Sequence, residues 1–131
     1  YDTGIASPSD KRIKKDIVNI DSSLDSINQL RPITYKKKYG KLDNVNVGLI
    51  AQEVKPHFPL LVTGEEDDFR EIPAKDAILD GDGNVVEEEI PLKVKGGLGL
   101  AYTDFIPYLI KAIQELSAKV EALENNNQTG E

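Results

Sequence analysis

Ile106-Pro107-Tyr108-Leu109-Ile110-Lys111-Ala112-Ile113-Gln114-Glu115-Leu116-Ser117-Ala118-Lys119-Val120-Glu121-Ala122-Leu123 sets Ile106, Leu109, Ile113, Leu116, Val120 and Leu123 alternately three and four residues apart. Alternation of that kind keeps one apolar stripe on a helix and is the pattern of a coiled-coil seam. β-Branched residues fill the first seam position and leucine the second, which favours two strands in isolated parallel coils and leaves three open in a larger assembly. The competing reading is a single amphipathic helix packed on its own core, because Tyr108 and Ile110 widen the apolar face. The helix is expected over 105–124, with the Asn-rich 125–131 as a disordered tail.

Upstream of the seam the elements are shorter. Leu24, Ile27 and Leu30 recur three apart, with Asp21 or Ser22 available as N-cap and Pro32 closing the end, so a short helix is expected. Ile33-Thr34-Tyr35 and Val45 to Leu49 have strand character on either side of the Gly40–Asn46 loop and predict a hairpin. Ile50, Val54 and Phe58 are spaced four apart for a helical turn, and Leu60-Leu61-Val62 then reads as a buried strand.

The stretch from Thr63 to Gly97 is acidic, with Ala77-Ile78-Leu79 and Val85-Val86 flanking Asp80-Gly81-Asp82-Gly83-Asn84. It reads as a hairpin excursion from the core. The Asp80 to Asn84 run also resembles the start of a calcium loop, but the bidentate acid and helical flanks that such a loop needs are not evident, which favours a polar turn. The fold class is therefore α+β: a small mixed domain of short strands and helices over 9–104, with 63–97 as a protruding hairpin-like insertion and a C-terminal coiled-coil helix. Residues 1–8, with Gly, Ser, Thr and Pro and no hydrophobic period, read as a linker from something upstream.

The 131 residues suit one domain, and the absence of cysteine excludes disulfides, thiolate metal sites and a cysteine nucleophile. No apolar run is long enough for a membrane span and no signal-peptide order is present, so no membrane partner is expected. Net charge is −7, with Lys11, Arg12, Lys14, Lys15, Arg31, Lys36, Lys37, Lys38 and Lys41 early and acid concentrated from Glu65 to Glu89. That overall field opposes phosphate contacts, so no nucleic-acid partner is expected. No metal or other cofactor is expected.

Ser9-Asp10-Lys11-Arg12-Ile13-Lys14-Lys15-Asp16-Ile17, Ile27-Asn28-Gln29-Leu30-Arg31-Pro32 with Tyr35, Gly48-Leu49-Ile50-Ala51-Gln52-Glu53-Val54, and Tyr102-Thr103-Asp104 leading into Ile106 to Ile113 follow one another along the chain. In order and spacing these stretches resemble the intramolecular chaperones of phage tail spikes and tail fibres, a family also found in endosialidases and in myelin regulatory factors. The resemblance implies a C-terminal domain of a homotrimeric fibre, clamped by the seam. It implies that the domain promotes folding of the β-rich stalk before it, its client, and then releases itself by autoproteolysis. It also implies assembly in the bacterial host cytoplasm and loss of the domain from the mature virion.

By the same resemblance the cut falls at Pro8–Ser9, with Ser9 as nucleophile and Lys14 as its base. A serine hydroxyl needs a proton acceptor, and lysine serves only if burial or neighbouring cations lower its pKa from roughly 10.4. Lys11, Arg12 and Lys15 are candidate cations, and the same run also fits a solvated face. Residues five apart on one continuous helix point about 140° away from each other, so Ser9 must precede any helix or Lys14 must come from a neighbouring protomer. Backbone amides near Asp10 are candidate oxyanion donors. His57, the single histidine, sits between Pro56 and Phe58 and reads as a packed or surface imidazole. Because residues 1–8 are joined to Ser9, the chain reads either as an uncleaved copy or as one lacking the context that triggers the cut. The rival readings are a non-cleaving trimerisation or receptor-binding tip and, more remotely, a membrane-tethered transcription-factor relative.

Overall fold

The computed structural model describes residues 6–38, 43–72, 76–87, 89 and 93–129. The longest element is helix α3, Phe105–Thr129, entered through a 3-10 turn at Tyr102–Asp104. It runs past Glu124 through Asn125, Asn126 and Asn127, where the sequence predicts a disordered tail; of that tail, only residues 130–131 lie outside the described residues.

Helix α3 carries two apolar faces. Phe105, Tyr108 and Ala112 turn inward, with Phe105 and Ala112 each 5% exposed. The seam residues Ile106, Leu109, Ile113, Leu116, Val120 and Leu123 are all exposed in the chain. At 3.6 residues per turn the two stripes are centred roughly 80° apart. The reading of one helix on its own core and the reading of a free seam therefore describe different sides of α3. Tyr108, which favoured the reading of a helix packed on its own core, lies on the inner side.

Helix α1, Leu24–Asn28, lies against α3. Neither Asp21 nor Ser22 caps it. The N-cap residue is Ser23, whose hydroxyl donates to the Tyr108 carbonyl at 2.6 Å instead of capping its own helix. The cap comes from α3: the Glu115 carboxylate accepts from the Ser23 amide at 3.0 Å and the Leu24 amide at 2.9 Å. A carboxylate at a helix N-terminus satisfies orphan amides and the helix dipole together. Glu115→Ala leaves both amides without that acceptor and is expected to cost about 1–3 kcal/mol, read as a fall in thermal midpoint. Glu115→Gln, which keeps an oxygen acceptor, should lose less. Equal melting of Glu115→Ala and the parent chain would show that the cap is not holding α1 to α3.

Strands β1, Ile33–Tyr35, and β2, Asn46–Gly48, form the expected antiparallel hairpin, pairing Ile33 with Gly48 and Tyr35 with Asn46. Helix α2, Ala51–Val54, then delivers Val54 and Phe58 to the core. The next segment departs from expectation. Pro59 fixes φ at the start of a 3-10 turn, Pro59–Leu61, that turns Leu61 inward and leaves Leu60 83% exposed. Only Val62–Thr63 is strand, β3, and it pairs with β8, Gly99–Leu100.

The core is Val54, Phe58, Leu61 and Phe105, with Ile27, Leu30, Leu49, Val62, Leu100 and Tyr108 against it. The Phe58 ring meets Phe105 at 5.7 Å and Tyr108 at 4.8 Å, both edge to face. Such pairs add about 0.5–1.5 kcal/mol each beyond area burial. These few side chains tie α2 to α3, and through Ser23 and Glu115 to α1.

Between β3 and β8 the chain makes a nested ladder. Strand β4, Phe69–Glu71, pairs with β7, Lys93–Lys95, and further out β5, Ile78–Leu79, pairs with β6, Val85–Glu87. At the base the Arg70 guanidinium donates to the carbonyls of Gly96, at 2.6 Å, and Leu98, at 3.1 Å. Gly64 takes a left-handed φ of 79° there and lies so close to Gly97 that a Cβ on either would strike backbone. At the tip the Asp80 carboxylate accepts from the amides of Asp82 and Asn84, both at 2.9 Å. The Asn84 amide and then the Asp82 amide hold the Asp80 carboxyl below the usual carboxylate range. Its oxygens close a turn, the geometry of a polar hairpin tip.

Candidate functional site

Residues 6–10 approach the site without secondary structure, and Asp10 is extended, with φ −70° and ψ 137°. One 3-10 turn, Lys11–Ile13, follows and ends at an extended Lys14, with φ −113° and ψ 145°. The Ile13 amide donates to the Asp10 carbonyl at 3.1 Å and the Lys14 amide to the Lys11 carbonyl at 3.2 Å. An extended residue on each side of a single tight turn brings the two flanks together, which a continuous helix could not do.

Ser9 and Lys14 are those flanks. The Lys14 Nζ donates to the Ser9 Oγ at 2.7 Å, within one chain. Both side chains are exposed, as is Pro8. Of the three cations expected around Lys14, Arg12 is already engaged: its guanidinium grips the Asp10 carboxylate through Nε at 3.1 Å and Nη2 at 2.7 Å. That fork, and then the Arg12 amide, hold the Asp10 carboxyl below its usual range. The expected oxyanion donors are also taken in part. The Arg12 amide donates to Asp10 Oδ1 at 2.8 Å, and those of Ile13 and Lys14 close the turn.

The Asp10–Arg12 pair was the part of this site that charge counting missed. Its signal was present: an Asp just before a turn, followed two residues later by Arg, is a capping arrangement. His57 is half-buried, with its backbone amide donating to the Val54 carbonyl at 2.9 Å. Ile13 in the turn, and Ile17 and Val18 beyond it, are 65%, 66% and 83% exposed. An open apolar groove of about 740 Å³ lies elsewhere, lined by Leu30, Val47, Leu49, Tyr102, Phe105 and Leu109, the last shared with the seam. Among the described residues no helix is long and apolar enough to cross a membrane.

Residues 9–63, from the site serine to the end of β3, match the peptidase S74 family described as chaperone of endosialidase. Over that segment the chain is similar to the endosialidase chaperones. The chain is also 39% identical over 69 residues to the long tail fiber protein Gp37 of Escherichia phage AR1. The match covers 47% of the domain and 6% of that protein, so the chain spans a small part of its relative's length. A solved structure titled as a novel intramolecular chaperon is 23% identical, with a TM-score of 0.49, over 85% of this chain and 99% of that one.

Proposed function

We propose that this domain is an intramolecular chaperone that associates as a homotrimer, promotes folding of a preceding β-rich phage fibre, and then releases itself at Pro8–Ser9. The observation carrying the release step is the 2.7 Å contact between Lys14 Nζ and the Oγ of Ser9, the residue whose nitrogen forms the bond to be cut. In the reactive form a neutral Lys14 accepts the hydroxyl proton, and Oγ adds to the Pro8 carbonyl carbon. The C–N bond then breaks as Lys14 returns the proton to the Ser9 nitrogen, leaving a Pro8–Ser9 ester and a free α-amine. Water hydrolyses the ester. One product ends at the Pro8 carboxylate and the other begins at Ser9.

The exposure of Ser9 and Lys14 in the single chain supports a link between assembly and chemistry. Packing of neighbouring protomers or the stalk over the pair would supply the desolvation that favours a neutral lysine. The exposed seam of α3 supports trimerisation as the first step. Joining three chains at one end raises the effective concentration of the strands that must pair in register. Release afterwards leaves the mature fibre held by its barrier to unfolding. In this reading the domain acts in the host cytoplasm during virion assembly.

Ser9→Ala, in a chain carrying the native upstream stalk, is expected to fold and assemble but to remain full length on a denaturing gel. Wild type should yield a fragment whose N-terminal residue is Ser9. Cutting of Ser9→Ala at the wild-type rate removes Ser9 from the mechanism. A wild-type domain retained on the assembled fibre, by intact mass, would point instead to a non-cleaving tip.

A further inference from the structure

Both side chains are exposed, and among the described residues no hydrogen bond from a distant element reaches the pair, so the turn between them holds Ser9 against Lys14. The turn in turn depends on one side chain. Asp10 Oδ1 accepts from the Arg12 amide at 2.8 Å, closing a short ring across the first residues of the 3-10 turn, while the Asp10 carbonyl accepts from Ile13. The carboxylate also has a second contact set. Arg12 Nε donates to Oδ1 at 3.1 Å and Nη2 to Oδ2 at 2.7 Å, so both oxygens are occupied.

That occupancy matters because Asp10 is the neighbour of Ser9. A free carboxylate at this point would compete with the serine hydroxyl for the Lys14 ammonium and would favour its charged form. A planar guanidinium holds both oxygens in a fixed fork, a geometry that a point-like ammonium does not impose. We infer that Asp10 is a positioning residue for the Ser9–Lys14 pair: its carboxylate closes the turn that aligns them, and Arg12 holds that carboxylate in place and away from Lys14. The inference rests on the self-cleaving reading for its consequence on rate, but the alignment itself is a separate property of the chain. Asp10, held below its usual range by Arg12, stays ionised through the neutral and alkaline conditions in which a lysine base would work.

The test separates alignment from chemistry. In isotopically labelled 131-residue chains, a nuclear Overhauser contact between the Lys14 ε-methylene and the Ser9 β-protons reports the pair directly. In chains with the native stalk, the cleaved fraction over time reports the reaction. Asp10→Ala should lose the contact and slow cleavage about 10- to 100-fold, the scale of a misplaced reacting group. Asp10→Asn, whose side-chain oxygen still caps the Arg12 amide, should restore the contact and most of the rate. Arg12→Lys should weaken both by releasing one carboxylate oxygen towards Lys14. Asp10 is exposed and outside the core, and an unchanged melting midpoint checks that the fold is intact. If Asp10→Ala keeps the contact, or cleaves at the wild-type rate, the inference is overturned. If wild type shows the contact but never cleaves, while Asp10→Ala loses it, the self-cleaving reading fails and the positioning role stands.

Discussion

Lys14→Arg is expected to stop cleavage at Pro8–Ser9 while leaving the domain folded and assembled. The substitution keeps a positive charge and a donor able to reach Ser9 Oγ, which Lys14 Nζ contacts at 2.7 Å. What it removes is the ability to give up a proton, because a guanidinium stays protonated at any accessible pH whereas a desolvated ammonium does not. A positioned general base contributes about 100- to 10,000-fold, so the rate should fall at least a hundredfold. Lys15→Arg should be far milder, since no hydrogen bond joins Lys15 to the serine. In wild type the rate should climb with pH as the base loses its proton, and the arginine variant should lose that rise. The measurement is the cleaved fraction against time and pH, with light scattering on each variant so that lost assembly is not mistaken for lost chemistry. Wild-type cleavage by Lys14→Arg would remove Lys14 as the base and with it the serine–lysine mechanism.

The distances over which the chain's contacts act explain what could be read beforehand. Helix α3 and the β1–β2 hairpin rest on local periodicity and turn chemistry, and their residues reveal them. Mixed short strands and a C-terminal helix were legible for that reason. The cap of α1 was not, because its acceptor, Glu115, is 92 positions from Ser23 and has no marker as a cap. Leu60 was misplaced because an apolar run does not disclose the tight turn that Pro59 begins. Spacing alone could not show that a seam and an inner stripe through Tyr108 lie side by side on one helix. At the site, five-residue spacing alone argued against an intrahelical Ser9–Lys14 contact, and family resemblance named the pair. The missing step was the single turn closed by Asp10, with an extended residue on either side.

Replacing Ile113 and Leu116 by glutamine is expected to dissociate the assembly without unfolding the chain. The two residues are 63% and 51% exposed, and the inward stripe of Phe105, Tyr108 and Ala112 lies on another side of α3. A glutamine at either position therefore meets water in the single chain, and the core contacts of Phe58 with Phe105 and Tyr108 remain. In a coiled coil the same positions are covered, and each Ile or Leu side chain contributes about 1.5–3 kcal/mol when fully removed from water. Repeated in every protomer, loss of two such positions should shift association by several orders of magnitude. Light scattering should then report the 14.5 kDa single chain, while circular dichroism keeps its helical signal. Such a variant should also cut slowly even though Ser9, Asp10, Arg12 and Lys14 are intact, because the exposed pair loses the packing that favours a neutral lysine. Substituting Ala112 instead should have the opposite signature, since it is buried against the chain's own core and a larger polar side chain there should lower the melting midpoint first. An unchanged oligomer mass in the Ile113 and Leu116 variant, with the fold intact, would show that the outward stripe of α3 is not the clamp.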